Sequence, residues 1–223
     1  MLRRPMLQRL PRQTRFRIVA LWILVFCSLA PFAGTQAVPS GIPMPPERVA
    51  DSYAIYSLLM PGDTFSAMPA EQNQRWAIAD TTVSIRDMNP AVPPQGQLKA
   101  PPDNVKAFQH VLRDFEARKY QRVQLTQNFH VDHPYQMFNS SQIDEFRNAR
   151  TSINADSDEQ EKFDGYPGIT FFSQVFFNSN QTAALVYMNN WCANFCNAGQ
   201  WFYLEKHGGQ WVLRSGVYAK MQS

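Results

Sequence analysis

A short cluster of histidine and aspartate residues has the residue types of a metal site. His130, Asp132 and His133 supply two imidazoles and one carboxylate, which are common zinc ligands in proteins. In an extended strand, His130 and Asp132 would share one face while His133 would point to the other. Because a complete site needs three or four converging ligands, this spacing favours a solvated segment. A metal-dependent enzyme or small periplasmic hydrolase that uses these three residues is the alternative.

Two cysteines four positions apart are the second candidate for chemistry. Cys192 and Cys196 lie between two predicted strands, and the third cysteine, Cys27, lies in the apolar N-terminal segment. Thiol oxidoreductases place two residues between their cysteines at the start of a helix, whereas three residues separate this pair in a loop. In an oxidising compartment, an even pair at a hairpin tip predicts a structural disulfide between Cys192 and Cys196.

No serine has the surroundings of a hydrolase nucleophile. The sequence contains no Gly-x-Ser-x-Gly elbow, and Ser173 lies within a predicted strand, where we expect it to bond to a neighbour. The sequence also contains no phosphate-binding loop, dinucleotide-binding fingerprint or zinc-protease motif. We therefore predict no catalytic residue and no cofactor.

The first 37 residues have the layout of an export signal. Six arginines and no acidic residue precede an apolar run that begins at Ile18, and small residues follow Pro31. The run of residues 18–33 is 16 residues long, shorter than the roughly 20 that a bilayer core requires. We predict a cleaved signal at 1–37 with a cut between 34 and 38, and a retained membrane anchor as the alternative. Either way the rest of the chain would be exported, to the periplasm or the medium.

Composition and charge narrow the class of protein further. The chain has 223 residues, of which 44% are hydrophobic and 17% charged, so it is not of a disordered or low-complexity class. Six of its 21 basic residues lie in the N-terminal segment, which leaves 15 basic against 18 acidic residues and a net charge of −3. This balance gives no support for nucleic-acid binding, and we expect membrane contact only through the N-terminal segment.

The remaining chain is predicted to form one α+β domain. Residues 38–46 form a Pro-rich linker, and residues 47–223 form the domain. Helical spacing predicts helices at 47–60, 104–120 and 140–148, with a strand near 77–85. Four later segments are rich in aromatic and β-branched residues and separated by turns, at 169–177, 182–189, 200–206 and 211–218. The expected fold is N-terminal helices packed on one face of a C-terminal antiparallel four-stranded β-meander.

Several segments of the C-terminal half resemble a group of uncharacterised exported bacterial proteins with a C-terminal paired-cysteine β-meander. The likeness rests on 166–178, 183–187, the two cysteines, Gly199, 204–206 and 209–211, together with Tyr53, Tyr56 and Ser57 of the first helix. Ala193 stands where that group usually has a glycine after the first cysteine. The resemblance implies the fold and export, and it implies no activity or catalytic residue.

The aromatic residues suggest a function class. They are dense late in the chain and fall on both faces of the predicted strands, more than helices on one face would cover. An exposed aromatic band would serve as a binding surface. We therefore predict a non-enzymatic binding or structural module of the cell envelope, with a protein or glycan as its partner.

Overall fold

A mixed β-sheet organises the fold. The computed structural model describes residues 41–60, 75–88, 91–151, 157–193 and 196–218. The sheet has seven strands, which are β2 (Trp76–Ala79), β4 (Tyr135–Phe138), β5 (Ile169–Phe172), β6 (Phe176–Phe177), β7 (Ala183–Ala193), β8 (Cys196–His207) and β9 (Gln210–Leu213). Their order in the sheet is β4-β2-β5-β7-β8-β9, and β6 also pairs with β7. A separate parallel pair joins β1 (Ile42–Pro43) to β3 (Val123–Gln124).

The α+β class is confirmed, but the predicted four-stranded antiparallel meander is wrong. Strands β5 to β9 do pair antiparallel through short connections. Strands β2 and β4 extend the sheet, however, and β2 runs parallel to both β4 and β5. Strand β2 is buried at every residue, so it shows no alternation of polar and apolar residues. Its parallel partners, β4 and β5, are also distant in the sequence, so a local residue pattern does not predict this pairing.

Helices cover both faces of the sheet, so the expectation of a single covered face is also wrong. The helices are α1 (Pro46–Leu59), α2 (Pro94–Gln97), α3 (Val105–Arg118), α4 (Ser140–Thr151) and α5 (Ser157–Glu161), and a 3-10 turn spans Ile85–Asp87. On one face Tyr56 of α1 packs against Phe172, with ring centroids 4.7 Å apart. On the other face Phe115 of α3 lies 5.4 Å from Trp201.

Strand β7 shows how the two faces are assigned. Val186 packs into the cluster beneath α1, while its neighbour Leu185 packs into the cluster beneath α3. Because successive side chains of a strand alternate, the odd-numbered residues of β7 face α3 and α4. Farther along that face Trp191 reaches Phe146 of α4, with ring centroids 6.0 Å apart. The aromatic residues, which are more than helices on one face would cover, are thus divided between two packed layers.

Polar contacts join α1 to α3 and to the sheet. Arg48 donates two hydrogen bonds to the Asp114 carboxylate of α3, at 2.8 and 3.0 Å. Asp51 accepts hydrogen bonds from Lys206 at 2.6 Å and from the Trp211 indole at 2.8 Å. These contacts join residues more than 60 positions apart, so they hold the layers in register.

Ser173 has the structural role that the sequence predicted. Its N–H donates to the Tyr187 carbonyl at 2.9 Å, and its Oγ accepts from the Tyr187 N–H at 2.8 Å. Ser173 lies between β5 and β6, which both pair with β7. The hydroxyl therefore maintains the pairing where the backbone ladder is irregular.

The described residues from 41 onward belong to one compact unit, Pro39–Ser223. Within the part of the chain that the structure describes, no helix has the length and apolarity needed to cross a membrane. The predicted signal at 1–37 and the start of the linker lie outside the described residues.

Candidate ligand-binding cleft

A cleft of about 450 Å³ opens on the sheet face that carries α4. Its floor is the sheet, one wall is α4, and the other wall is the chain that follows β2, together with Arg122. It lies beyond the carboxyl ends of the parallel strands β2 and β4. Ligands of sheets with parallel strands commonly bind at this edge, because the connections that leave the strands diverge there. We call this space the cleft.

The path of the chain after β2 creates one wall. Strand β2 pairs with β5 as far as Ile78, and the chain returns to β5 at Val83, which bridges Ser173. In between, the N–H of Asp80 donates to Phe138 of β4 at 2.9 Å. The chain thus leaves β5 for the four residues 79–82, and these residues line the cleft.

Three neighbouring strands supply the floor. Phe171 of β5 lies opposite Asn189 of β7, and Trp191 lies on the same face of β7 two residues on. Asn197 of β8 is the register partner of Trp191. An amide is therefore placed beside two aromatic residues, a mixture of apolar surface and a few polar groups that is typical of ligand pockets.

The Asn189 side chain contains an unused acceptor. Its Oδ1 is buried and has no hydrogen-bond partner among the described residues. A buried polar atom without a partner costs about 1–3 kcal/mol, so native proteins rarely keep one without a use. Asn190 has the same feature, but its Oδ1 faces Gly168, where a β-carbon would lie 2.6 Å away. Only Asn189 lines the cleft.

Helix α4 contributes an arginine above the floor. Ser140, Ile143, Asp144 and Arg147 line the cleft at the spacing of one helical face. The guanidinium carbon of Arg147 lies 5.6 Å from the centre of the Phe171 ring and 5.7 Å from that of Trp191. Contacts of this kind attract a cation to an aromatic face, so they hold the guanidinium over the floor.

On the opposite wall, Asp87 and Arg122 neutralise each other. Arg122 donates two hydrogen bonds to the Asp87 carboxylate, one of them 2.9 Å long from Nε. The N–H and hydroxyl of Ser84 also donate to Asp87, at 2.7 and 2.8 Å. Burial alone would raise the pKa of the Asp87 carboxyl, but the hydrogen bonds from Arg122 and Ser84 outweigh it and lower this pKa. At neutral pH the Asp87 carboxylate is therefore ionised, and it is hydrogen-bonded to Arg122 and Ser84.

The histidine cluster that the sequence singled out lies elsewhere. His130, Asp132 and His133 are exposed on the connection between β3 and β4, and none of them lines the cleft. The backbone N–H of His130 donates to Ser57 of α1 at 2.8 Å. Among the residues that the structure describes, no three histidine, cysteine, aspartate or glutamate side chains converge as a metal site would require. The structure therefore gives no support to the metal-dependent alternative.

The two cysteines lie at the closed end of the β7–β8 hairpin. Ala193 pairs with Cys196, and the register is irregular between Trp191 and Ala193. The backbone thus brings the chain at Cys192 and Cys196 together, next to the Trp191 side of the cleft. The side chain of Cys196 lies outside the described residues, so the disulfide stays a prediction.

No motif in the sequence indicates the residues of the cleft. Asn189 and Arg147 carry no motif, and the residues that line the cleft run from position 79 to position 197. One signal was present: two consecutive asparagines, 189 and 190, interrupt an otherwise apolar strand. Asparagine is depleted in strands, so an interior pair of this kind deserves a functional interpretation.

Comparisons with protein-family models, with curated proteins and with solved structures find no match to this chain. The resemblance to exported proteins with a paired-cysteine meander therefore stays a prediction. Function has to be inferred from the cleft and from the N-terminal sequence.

Proposed function

We propose that this protein is a non-enzymatic binding module of the cell envelope, which takes a glycan in the cleft. The observation that carries the proposal is the floor of the cleft, where the Asn189 side chain lies beside Phe171 and Trp191. A sugar ring has apolar C–H faces and polar hydroxyl or amide groups at its edge. It would pack on the aromatic floor and form a hydrogen bond with the Asn189 amide.

The polar groups of the cleft suit binding better than catalysis. General acids and bases need a pKa near the working pH, whereas the pKa of Asp87 is lowered and its oxygens are already hydrogen-bonded. The other described side chains that line the cleft include no histidine or cysteine, which are frequent catalytic groups. The cleft also contains the carboxylates of Asp80, which accepts a hydrogen bond from the Thr81 hydroxyl at 2.9 Å, and of Asp144, which is 73% exposed. Its hydroxyl groups come from Thr81, Thr82 and Ser140. Thr82 is engaged as the acceptor of the Val123 N–H at 2.7 Å.

Location in the envelope is supported by the N-terminal sequence. Arginines, a 16-residue apolar run and small residues follow one another there, as in a secretory signal. Mass spectrometry of protein from the exported fraction should find a new N-terminus between positions 34 and 38. Recovery at full mass and only from membranes would establish the retained anchor in its place.

A disulfide between Cys192 and Cys196 forms part of the proposal. The hairpin already brings the two backbone positions together, and an oxidising compartment favours the bond. In the chain-entropy model, a ring of this size stabilises a protein by only about 2 kcal/mol. Its main effect would be to order the hairpin end beside Trp191, and so to keep that side of the cleft in place.

Binding in the cleft is tested by titration with soluble peptidoglycan fragments, followed by amide NMR. We expect shifts to concentrate at the floor and on α4. Asn189→Ala should weaken binding by about 10-fold, the value of one hydrogen bond. Asn148→Ala, which changes an exposed asparagine on α4, should leave binding unchanged.

The stability of the Asn189→Ala variant distinguishes a ligand group from a structural one. Because Oδ1 has no partner among the described residues, its removal should leave the free energy of unfolding equal or slightly higher. Fragments that shift no cleft residue, or shift wild type and Asn189→Ala alike, would refute a glycan site here.

A further inference from the structure

The two arginines of the cleft differ in what they are free to bind. Arg122 already donates from Nε and Nη2 to the Asp87 carboxylate, so its forked face is occupied. The guanidinium carbon of Arg147 lies 5.6 Å from the Phe171 ring centre and 5.7 Å from that of Trp191, and its nearest carboxylate, Asp144, is 3.9 Å away, too far for a hydrogen bond. Among the described residues, Arg147 is therefore the cleft cation with donors left for a ligand.

The shape of the Arg147 guanidinium also determines which ligand group would fit. A guanidinium is planar and directs its N–H donors outward in its own plane. A carboxylate is the matching acceptor, because its two oxygens accept two parallel N–H bonds from such a fork. Asp144 does not compete strongly for this place, since its side chain is 73% exposed and its interaction with Arg147 is weakened by solvent.

Asn189 sets a second requirement. Its amide is a polar group on the floor that Phe171 and Trp191 make apolar, so a ligand there needs an apolar face and a hydrogen-bonding group. Resting on the proposed glycan function, we infer that the cleft selects an acidic amino sugar: its carboxylate pairs with Arg147, and its amide or hydroxyl forms a hydrogen bond with the Asn189 amide. The recognition is thus of a carboxylate carried on a sugar ring, and not of a neutral glycan.

The test compares two probes that differ in one acidic group. N-acetylmuramic acid and N-acetylglucosamine share the ring and the acetamide, and only the first carries a lactyl carboxylate. By NMR titration, wild-type protein should bind the acidic sugar roughly 10- to 100-fold more tightly, as for a charge-assisted bidentate pair. N-acetylalanine, which has the same amide and carboxylate without the sugar, should bind more weakly than N-acetylmuramic acid.

Variants assign the difference to one side chain. Arg147→Gln should bind both sugars with the affinity that the wild type has for N-acetylglucosamine. Arg147→Lys should restore part of the preference for N-acetylmuramic acid, because lysine supplies a positive charge without the planar fork. Both changes are at a side chain that is 47% exposed, so folding should be retained. Arg113→Gln, an exposed arginine of α3 outside the cleft, is the matched control and should keep the full preference.

The other possible results of these titrations refute either the carboxylate inference alone or the glycan function as well. Equal binding of the two sugars by wild type refutes the carboxylate inference while the glycan function stands. Failure of both sugars together with the larger fragments refutes the glycan function as well. Binding of N-acetylalanine as tight as that of N-acetylmuramic acid, with the same loss in Arg147→Gln, would show a peptide-type carboxylate ligand and refute the sugar.

Discussion

The carboxylate of Asp114 is the contact whose removal should most clearly separate the layers of the fold. It accepts two hydrogen bonds from Arg48 of α1 and one from the backbone N–H of Phe177 at 2.9 Å, and it forms an ion pair with Arg118, whose Nε lies 3.0 Å away. The side chains of Arg48 and Asp114 are 14% and 15% exposed, so solvent replaces these bonds poorly. Asp114→Ala would leave a guanidinium and an N–H without their partner.

The expected magnitude follows from this geometry. Removal of one partner from a buried ion pair costs about 3–5 kcal/mol, and the residual exposure places this case near the lower end. We expect Asp114→Ala to lose about 3 kcal/mol of unfolding free energy, or roughly 6–12 °C in melting temperature for a domain of this size. Binding in the cleft should survive wherever the variant is folded, because Asp114 lies outside it.

Urea unfolding followed by tryptophan fluorescence measures the loss, since Trp201 and Trp211 are both buried in the core. The denaturant dependence should stay unchanged, which would show that the folded state keeps its compactness. Glu116→Ala is the matched control on the same helix. Its carboxylate is 51% exposed and pairs only with Lys119 among the described residues, so it should cost less than about 0.5 kcal/mol. A loss of similar size in the two variants would refute the role of Asp114.

Three further substitutions test other parts of the structure. Because the pKa of Asp87 in the folded protein lies below its ordinary value of 3.8, its pairing with Arg122 stabilises above that pH and is lost as pH falls through the folded pKa. Asp87→Asn should therefore be less stable than wild type at neutral pH and similar in strong acid, by urea unfolding at both pH values; a gap independent of pH would contradict this. Gly168→Ala should cost about 1–3 kcal/mol by the same assay, because its β-carbon would lie 2.7 Å from the Trp191 carbonyl oxygen; unchanged stability would show that β7 can yield. Cys192→Ser should lower the melting temperature only modestly, and thiol counting of the exported wild-type protein should find no free thiol in the hairpin.

Local patterns predicted the elements better than their arrangement. The spacing of Val105, Phe108, Leu112, Phe115 and Lys119, with Val111 adjoining, predicted α3. Of these, Phe108, Val111 and Phe115 are buried in the structure, whereas Val105 is 40% exposed. The antiparallel connections from β5 to β9 also follow from turn residues between neighbouring strands. An amphipathic helix and a tight turn depend on residues a few positions apart, so local sequence patterns predict them.

The strand predicted near 77–85 shows where local pattern fails. Its β-branched residues Thr81, Thr82 and Val83 favour a continuous strand, yet β2 ends at Ala79. Thr82 instead donates its N–H to Val123 and accepts the N–H of Val123 on its hydroxyl. Pairing with the distant β3 outweighs the local preference, and the resulting detour forms one wall of the cleft.

By itself, the sequence determined the α+β class, the helix that packs under Trp201, the antiparallel order of the last strands and the export-like start of the chain. Only the tertiary structure decided that β2 and β4 join the sheet in parallel and that helices cover both faces. It also decided that Arg147 lies near the rings of Phe171 and Trp191, in a cleft that Asn189 also lines. The physical reason is the distance along the chain. Parallel pairing and the cleft join residues separated by tens of positions. The burial and strand register that stabilise these contacts depend on several distant segments together, so no short segment of the sequence predicts them.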